Sequence, residues 1–232
     1  MLTNVRDVGE TLARMGHHGV MPGTLFRSAM PETHDPLLDH VQTVVNLRGH
    51  ASSPLVPAGK QCHVPLPAGR FASDRDRFYF VESEEIGQWL AASLAAVATR
   101  PTPSLVHCKH GVDRTGVLVA TVLFLCGVPD DLIVAEYMLS GECCRVEWIQ
   151  ETLAGLRRLD MDHLTSQAVR GAFMARDRPR DRLLSDAMAA VALLRDRALE
   201  EHGFVDAGMA AVAERAEAAI RSMFGQMKDT LD

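Results

Sequence analysis

The sequence predicts an α/β fold: a small central sheet flanked by helices, with an all-helical C-terminal extension packed on it. Three observations predict it. Short β-rich segments alternate with helical patterns through roughly the first 140 residues, and such alternation gives a sheet that needs helices on its faces. About 90 further residues, at the C-terminal end, show helical patterns alone. Of all 232 residues, 47% are hydrophobic, which is enough to bury a core.

Each predicted element has its own signal. The strands are β-rich segments bounded by Pro, Gly and polar residues, at 24–27, 43–47, 61–66 and 104–107. A helical period over residues 82–99 places four apolar side chains on one face: Ile86, Leu90, Leu94 and Val97. Residues 115–126 are apolar on all sides, which is typical of a fully buried helix. Further helices are predicted at residues 130–140, 145–159, 166–177, 181–202 and 206–224.

The domain organisation follows from what lies between these elements. No proline- or glycine-rich linker separates the two parts of the chain, so we expect one domain over residues 1–232. Within it, residues 1–145 form the α/β core and residues 146–232 a helical C-terminal lobe. That lobe packs back on the sheet, the favoured interpretation, or forms a separate bundle. A lid over the functional site is a further interpretation.

Charge and targeting signals limit the class of protein. Lys and Arg number 24 against 30 Asp and Glu, a net charge of −6, which argues against a general nucleic-acid or anionic-membrane binder. The N-terminus has no basic and apolar signal regions, and the longest apolar stretch, residues 117–126, is too short to span a bilayer. We therefore expect a cytoplasmic protein without stable membrane insertion, although export without such a signal stays open.

Cysteine usage singles out one residue. The five cysteines are odd in number, show no CxxC spacing and face no matching His pair, so we predict no metal site and no cofactor. Cys62 and Cys126 adjoin apolar segments and are expected in the core. The vicinal Cys143 and Cys144 are either a redox pair or, the favoured interpretation, two small helix residues. Cys108 has no such explanation.

The segment around Cys108 carries chemistry. Residues 104–116 read SLVHCKHGVDRTG, a buried strand that runs through a short loop into the buried helix. Such a loop directs backbone N–H groups at one point, where the helix dipole favours an anion. Gly111 lets the loop curl, and the planar fork of Arg114 matches two oxygens of a phosphate. A cysteine in that positive field is held as the nucleophilic thiolate.

The neighbouring side chains have assigned or open roles. Lys109, His110, Gly111, Val112 and Thr115 are the candidate substrate-binding residues of the loop. Lys109 either reaches the substrate or points to solvent, and His110 either borders the substrate or is ordinary loop polarity. Thr115 donates its hydroxyl to the thiolate, caps the helix, or does both. We expect His107 to order the loop through hydrogen bonds, not to act as a base.

The residues of this loop resemble the signature of a known family. His107-Cys108-x5-Arg114-Thr115-Gly116 resembles the signature of the cysteine-dependent protein tyrosine phosphatases. Five further features are similar to one bacterial branch of this family, the atypical tyrosine/serine and lipid phosphatases. They are Asp113 before Arg114, NVRDVG at 4–9, GTLFRS at 23–28, VVNLR at 44–48 and the helix at 131–137. The resemblance implies a tyrosine-phosphatase-like fold and a phosphomonoesterase that forms a cysteinyl-phosphate at Cys108. Its implied substrate is a phosphorylated protein or peptide carrying phosphotyrosine, with phosphoserine and phosphothreonine as further candidates.

Two departures bear on the substrate. Asn46 stands where that branch carries Asp, which weakens an expected ion pair. Val112 stands where the branch carries a Lys that resembles a phosphoinositide-phosphatase feature, so its loss argues against a phospholipid headgroup. The alternatives are a phosphatase for phosphoinositides or other small phosphoesters and, more remotely, a phosphate-binding module without catalysis.

The proton donor for the leaving group has several candidates. The resemblance favours Asp113, inside the loop itself. Asp76 and Asp74 are the alternatives, because they lie 32 and 34 residues before Cys108, where most of the superfamily carries its acid. Arg6-Asp7 and Arg27 are expected to form a buried pair under the loop or, less favoured, to line the phosphate pocket.

Overall fold

A computed structural model describes residues 2–49, 55–66, 75–159 and 163–174. Five strands form one mixed sheet: β1 (Arg6–Asp7), β2 (Leu25–Ser28), β3 (Thr43–Asn46), β4 (Gln61–His63) and β5 (Ser104–His107). Their order is β1-β2-β5-β3-β4, with β1 antiparallel and the other pairs parallel. His107 is level with Ser28 on one neighbour and with Asn46 on the other. The carboxyl ends of the three central strands therefore meet at one edge, where α/β sheets bind ligands.

Seven helices flank this sheet in the described ranges: α1 (Val8–Arg14), α2 (Pro36–His40), α3 (Glu84–Thr99), α4 (Asp113–Leu125), α5 (Asp130–Met138), α6 (Val146–Arg158) and α7 (His163–Met174). The α/β prediction is confirmed. The sequence did not predict β1, α1 or α2, because elements of 2, 7 and 5 residues are too short to show a period. Caps mark both short helices: the Asp7 carboxylate accepts the Glu10 N–H at 3.1 Å and that of Asp35 accepts the Leu37 N–H at 3.1 Å.

Helix α4 lies at the centre of the core. Val117, Leu118 and Val119 are successive residues on different faces, and all are fully buried. The helix contacts β2 and β5 on the sheet and also α3, α5, α6 and α7. Neighbours on every side explain why its sequence is apolar all round, as the sequence analysis predicts.

The described part of the C-terminal extension packs on this core. Helix α6 contacts α4 and α5, and α7 contacts α3 and α4. The Met21 N–H donates to the carbonyl of Phe173 at 3.0 Å, which ties the end of α7 to the N-terminal segment. The helices predicted at 181–202 and 206–224 lie outside the described residues, so the lid and the single domain stay predictions. In the part of the chain that the structure describes, no helix is long and apolar enough to cross a membrane.

The cysteines other than Cys108 have structural surroundings. Cys126 is buried in the core, where burial raises its pKa to about 12, and Cys62 packs against the core. Cys143 and Cys144 lie in the turn between α5 and α6, so the favoured helical position for them was wrong; all five cysteines are free thiols. The described ranges contain no group of three or more His, Cys, Asp or Glu side chains arranged to hold a metal ion.

Candidate active site

Cys108 follows β5 directly and lies at the sheet edge where the parallel strands end. Its side chain is 3% exposed. The loop from Cys108 to Val112 then enters α4 at Asp113, so the N-terminus of a fully packed helix faces the loop. This is the strand–loop–helix arrangement that the sequence predicts for an anion site.

The loop is curled around Gly111. Gly111 has φ +70°, and a Cβ placed on it would lie 2.4 Å from the carbonyl oxygen of Ser28. Only glycine combines this left-handed conformation with so close a backbone approach. Within the described residues, the backbone N–H groups of Lys109, His110, Gly111 and Val112 donate to no protein acceptor. These donors are therefore available to an anion.

A buried cluster of charges supports the loop from below. Arg27, fully buried, donates from Nη1 to the Glu136 carboxylate at 2.6 Å. Arg6 donates from Nε to the other oxygen of Glu136 at 2.8 Å. Burial, and then the neighbouring Arg27 charge, lower the pKa of Arg6, while Glu136 opposes both effects. Two cations on one carboxylate leave a net positive charge beneath the anion site.

The arginines of this cluster and the neighbouring Asn4 hold the loop by hydrogen bonds to the backbone carbonyl groups of the loop. Arg27 Nη2 donates to the Gly111 carbonyl at 2.8 Å. Asn4 Nδ2 donates to the carbonyls of His110 and Gly111 at 3.1 and 3.0 Å. Arg6 in turn donates to Asn4 Oδ1 at 2.6 Å. Because these carbonyls are held toward the protein, the N–H groups of the same peptides point the other way.

Arg114 is the second residue of α4 and is half-buried. Its Nη1 donates to the Leu47 carbonyl at 2.7 Å, and its guanidinium lies 5.6 Å from the centre of the Phe78 ring. The backbone after β3 and an aromatic ring thus hold the fork in place beside the loop.

Asp113, the first residue of α4, contacts a tyrosine from far upstream. The Tyr79 hydroxyl donates to Asp113 Oδ1 at 2.9 Å, and the Tyr137 hydroxyl lies 2.7 Å from that of Tyr79. Tyr79 comes from the 3₁₀ turn Arg75–Tyr79, which reaches the start of α4. An uncharged hydroxyl group thus donates to the Asp113 carboxyl group, and a second hydroxyl contacts the first.

Comparison with known proteins assigns the chain to a family. The model of the tyrosine phosphatase family matches residues 1–229. The chain belongs to the tyrosine phosphatase family. It is therefore a phosphatase, a phosphoester hydrolase. The crystal structure of P. aeruginosa TpbA is similar at 23% identity over 64% of this chain and 84% of that one, with a TM-score of 0.38. No curated protein matches the chain.

His107 has the ordering contact that the sequence analysis expects in this phosphatase. Its Nδ1 donates to the Cys108 carbonyl at 3.2 Å. Burial is the main reason that the pKa of His107 is lowered to about 4, and the charges of Arg48 and Arg114 add to it. The imidazole is therefore neutral near pH 7.

Thr115 is the third residue of α4 and is fully buried. The N-cap of the helix is Val112, so the alternative that Thr115 caps it was wrong. Among the described residues, the Thr115 hydroxyl has no hydrogen-bond partner. A buried hydroxyl without a hydrogen-bond partner carries a free-energy cost.

The remaining candidates separate into exposed and buried residues. Lys109 and His110 are exposed on the loop. The Val112 side chain is 3% exposed and belongs to the core, so only the Val112 backbone is available to a substrate. Asp76 lies in the 3₁₀ turn that carries Tyr79, with its side chain outside the described set, and Asp74 lies outside the described residues. Their role as acid stays a prediction.

Asn46 lies at the end of β3 and binds the backbone of the turn that follows. It is 5% exposed, and its Oδ1 accepts the Arg48 N–H at 3.0 Å. Asn46 thereby closes the turn after β3, whose Leu47 carbonyl binds Arg114.

Sequence reasoning missed the two residues that hold the loop and Asp113. Glu136 is the acid that pairs with Arg6 and Arg27; Asp7, the expected partner, caps α1 and accepts the Gly23 N–H at 2.5 Å. One signal was present, since Glu136 shares a helix face with the buried Ile133 and Tyr137. Tyr79 carried no signal, because its position in the apolar segment 78–81 does not indicate where its hydroxyl points.

Proposed function

We propose that this phosphatase hydrolyses phosphotyrosine monoesters of proteins or peptides through a cysteinyl-phosphate at Cys108. One observation carries the proposal. Cys108 stands at the carboxyl end of β5, at the start of a loop that leads to Arg114 in α4 and whose N–H groups at residues 109–112 have no protein acceptor in the described residues. Such a cradle stabilises the negative charge of a phosphoryl group during transfer.

The first step transfers the phosphoryl group to the protein. The Cys108 thiolate attacks phosphorus, an S–P bond forms, and the P–O bond to the tyrosine breaks. Arg114 binds two of the three equatorial oxygens, and the loop N–H groups bind the third. Asp113 gives its proton to the departing phenolate oxygen, which leaves as the neutral phenol.

The second step restores the thiolate. Water attacks phosphorus, the S–P bond breaks, and phosphate leaves after Asp113 takes a proton from the water. The unpartnered hydroxyl of Thr115 supports a role as donor to the thiolate as it departs. A hydrogen bond to a charged acceptor offsets the cost of keeping that hydroxyl buried.

Two residues favour an aromatic phosphoester over a lipid headgroup. Phe78, half-buried beside Arg114, gives an apolar wall for a phenyl ring next to the phosphate site. Val112 is buried in the core, so this position offers no cation to the additional phosphates of a phosphoinositide.

The decisive experiment measures hydrolysis of a phosphotyrosine peptide in the presence of EDTA. We expect turnover in the native protein, inhibition by vanadate, and loss of all turnover in Cys108→Ser. With 4-nitrophenyl phosphate, whose leaving group needs little protonation, Asp113→Asn is expected to accumulate phosphoprotein, because the second step still needs the carboxylate. Turnover that survives in Cys108→Ser, or that EDTA abolishes, would overturn the proposal.

The substrate class is tested in parallel. Initial rates are compared on a phosphotyrosine peptide, the matching phosphoserine and phosphothreonine peptides, and phosphatidylinositol phosphate vesicles. We expect the highest kcat/KM on phosphotyrosine. A higher kcat/KM on the vesicles would assign the lipid alternative, and phosphate binding without turnover on any substrate would assign the binding module.

A further inference from the structure

We propose that Tyr79 is a positioning residue for proton transfer at Asp113, with its hydroxyl fixing one carboxyl oxygen so that the other carries the proton. The inference rests on the proposed function, in which Asp113 is the proton donor. Tyr79 belongs to the segment about 30 residues before the nucleophile, where the sequence analysis places the alternative acids Asp74 and Asp76. That segment supplies a hydroxyl to the acid inside the loop.

The direction of the hydrogen bonds follows from the protonation of Tyr79. Burial, then the nearby Asp113 charge, raise the pKa of Tyr79, so its hydroxyl keeps its proton. That single proton is donated to Asp113 Oδ1 at 2.9 Å. The Tyr79 oxygen is then left to accept, and Tyr137, 2.7 Å away, is the donor. The chain therefore runs from Tyr137 to Tyr79 to Asp113.

This direction selects the oxygen that carries the catalytic proton. Oδ1 accepts a hydrogen bond and acts as the carbonyl oxygen of the protonated acid, so the proton resides on Oδ2. When the Oδ2–H bond breaks and the proton moves to the leaving oxygen, a full negative charge forms on the carboxylate. The bond from Tyr79 strengthens as this charge develops, which stabilises the transition state more than the ground state.

Tyr79 is itself held rigidly. Its side chain is 1% exposed, its ring stacks on Trp148 at 5.3 Å, and it meets the Tyr137 ring edge-on at 6.2 Å. The Thr152 hydroxyl donates to its backbone carbonyl at 3.2 Å. Trp148 and Thr152 belong to α6, so the helical extension reaches the acid through Tyr79.

The test uses Tyr79→Phe, which removes the hydroxyl and keeps the stacked ring. We expect kcat/KM for phenyl phosphate, whose leaving group needs a proton, to fall about tenfold, a fraction of what acid catalysis supplies. For 4-nitrophenyl phosphate, whose leaving group needs little protonation, we expect less than about a twofold change. In an Asp113→Asn background, Tyr79→Phe should have no further effect, because the group that it positions is gone.

Controls separate this role from a structural one. Thr152→Val removes the hydrogen bond to the Tyr79 backbone carbonyl and keeps the Tyr79 hydroxyl, so it should leave the ratio of the two substrates unchanged. Equal losses on both substrates in Tyr79→Phe, or a further loss in the Asp113→Asn background, would overturn the positioning role. Should Tyr79→Phe fail to fold, Tyr137→Phe is the deciding variant. We expect a smaller loss of kcat/KM in it, confined to phenyl phosphate. An unchanged ratio of kcat/KM between the two substrates in Tyr137→Phe would overturn the proposal. Cys108→Ser keeps the two proposals apart, since turnover in that variant contradicts the proposed function itself.

Discussion

The two halves of the Cys108–Asp113 loop are held by opposite chemistry. Its middle, at His110 and Gly111, is anchored by Asn4 and by a buried cluster of two arginines and Glu136. Its end, at Asp113, is anchored by the Tyr79 hydroxyl, which Tyr137 supports in turn.

The difference matches what each half has to do. The middle presents N–H groups to an anion and needs a fixed positive environment, which ionised arginines supply at any working pH. In the proposed mechanism the end gains and loses a proton, and an uncharged donor, the Tyr79 hydroxyl, fixes its geometry.

The largest effect is expected when the buried charge cluster that anchors the middle of the loop is disrupted. Glu136→Gln leaves Arg6 and Arg27 buried without a counter-charge, and we expect a loss of about 3–5 kcal/mol in the free energy of unfolding. Urea unfolding at pH 7 measures it. The matched control is Glu82→Gln, which removes the exposed partner of Arg158 and should leave stability almost unchanged. Equal effects of the two substitutions would show that the buried cluster does not support the fold.

A somewhat smaller effect on stability is expected from protonation of His107 at low pH. Its pKa is about 4 in the folded protein and about 6.5 unfolded, so the unfolded chain takes up the proton first as pH falls. Stability contributed by the neutral form is complete above pH 6.5 and is lost as pH falls to about 4, by about 3 kcal/mol in total. Unfolding free energies of native protein and His107→Gln, compared from pH 8 to pH 4, should converge over that window. Parallel curves would contradict a buried neutral imidazole.

The smallest of the three effects tests the loop backbone. Gly111→Ala places a Cβ against the Ser28 carbonyl at 2.4 Å, so the loop has to shift, and we expect kcat/KM to fall about 100-fold. Gly127→Ala is the matched control, because Gly127 has a similar φ of +75° but open space around it. That control should cost about 1 kcal/mol of stability and leave kcat/KM unchanged. Comparable losses of activity in both variants would assign the effect to backbone strain alone.

Much of the fold was predictable because its signals are local. The strand Ser104–His107 and the buried helix that follows were predicted nearly to the residue, since both are continuous apolar segments. Cys108, Asp113 and Arg114 came with them, because one loop carries all three. Short elements such as α1 and α2 were missed, since their main signals are caps and not periods.

The partners of those residues were not predictable in the same way. Tyr79 lies 34 residues from Asp113, and Glu136 lies 109 residues from Arg27. No pattern along the chain shows which way a hydroxyl points or which of two acids meets a buried arginine.

The sequence alone determined the nucleophile candidate, the anion loop and the helix behind it, because these depend on neighbouring residues and on backbone geometry. The tertiary structure decided that Glu136 and not Asp7 neutralises the arginines, that Val112 faces the core, and that Tyr79 meets Asp113. These outcomes depend on how separate elements pack, and packing brings together groups whose separation along the chain carries no information about their distance in space.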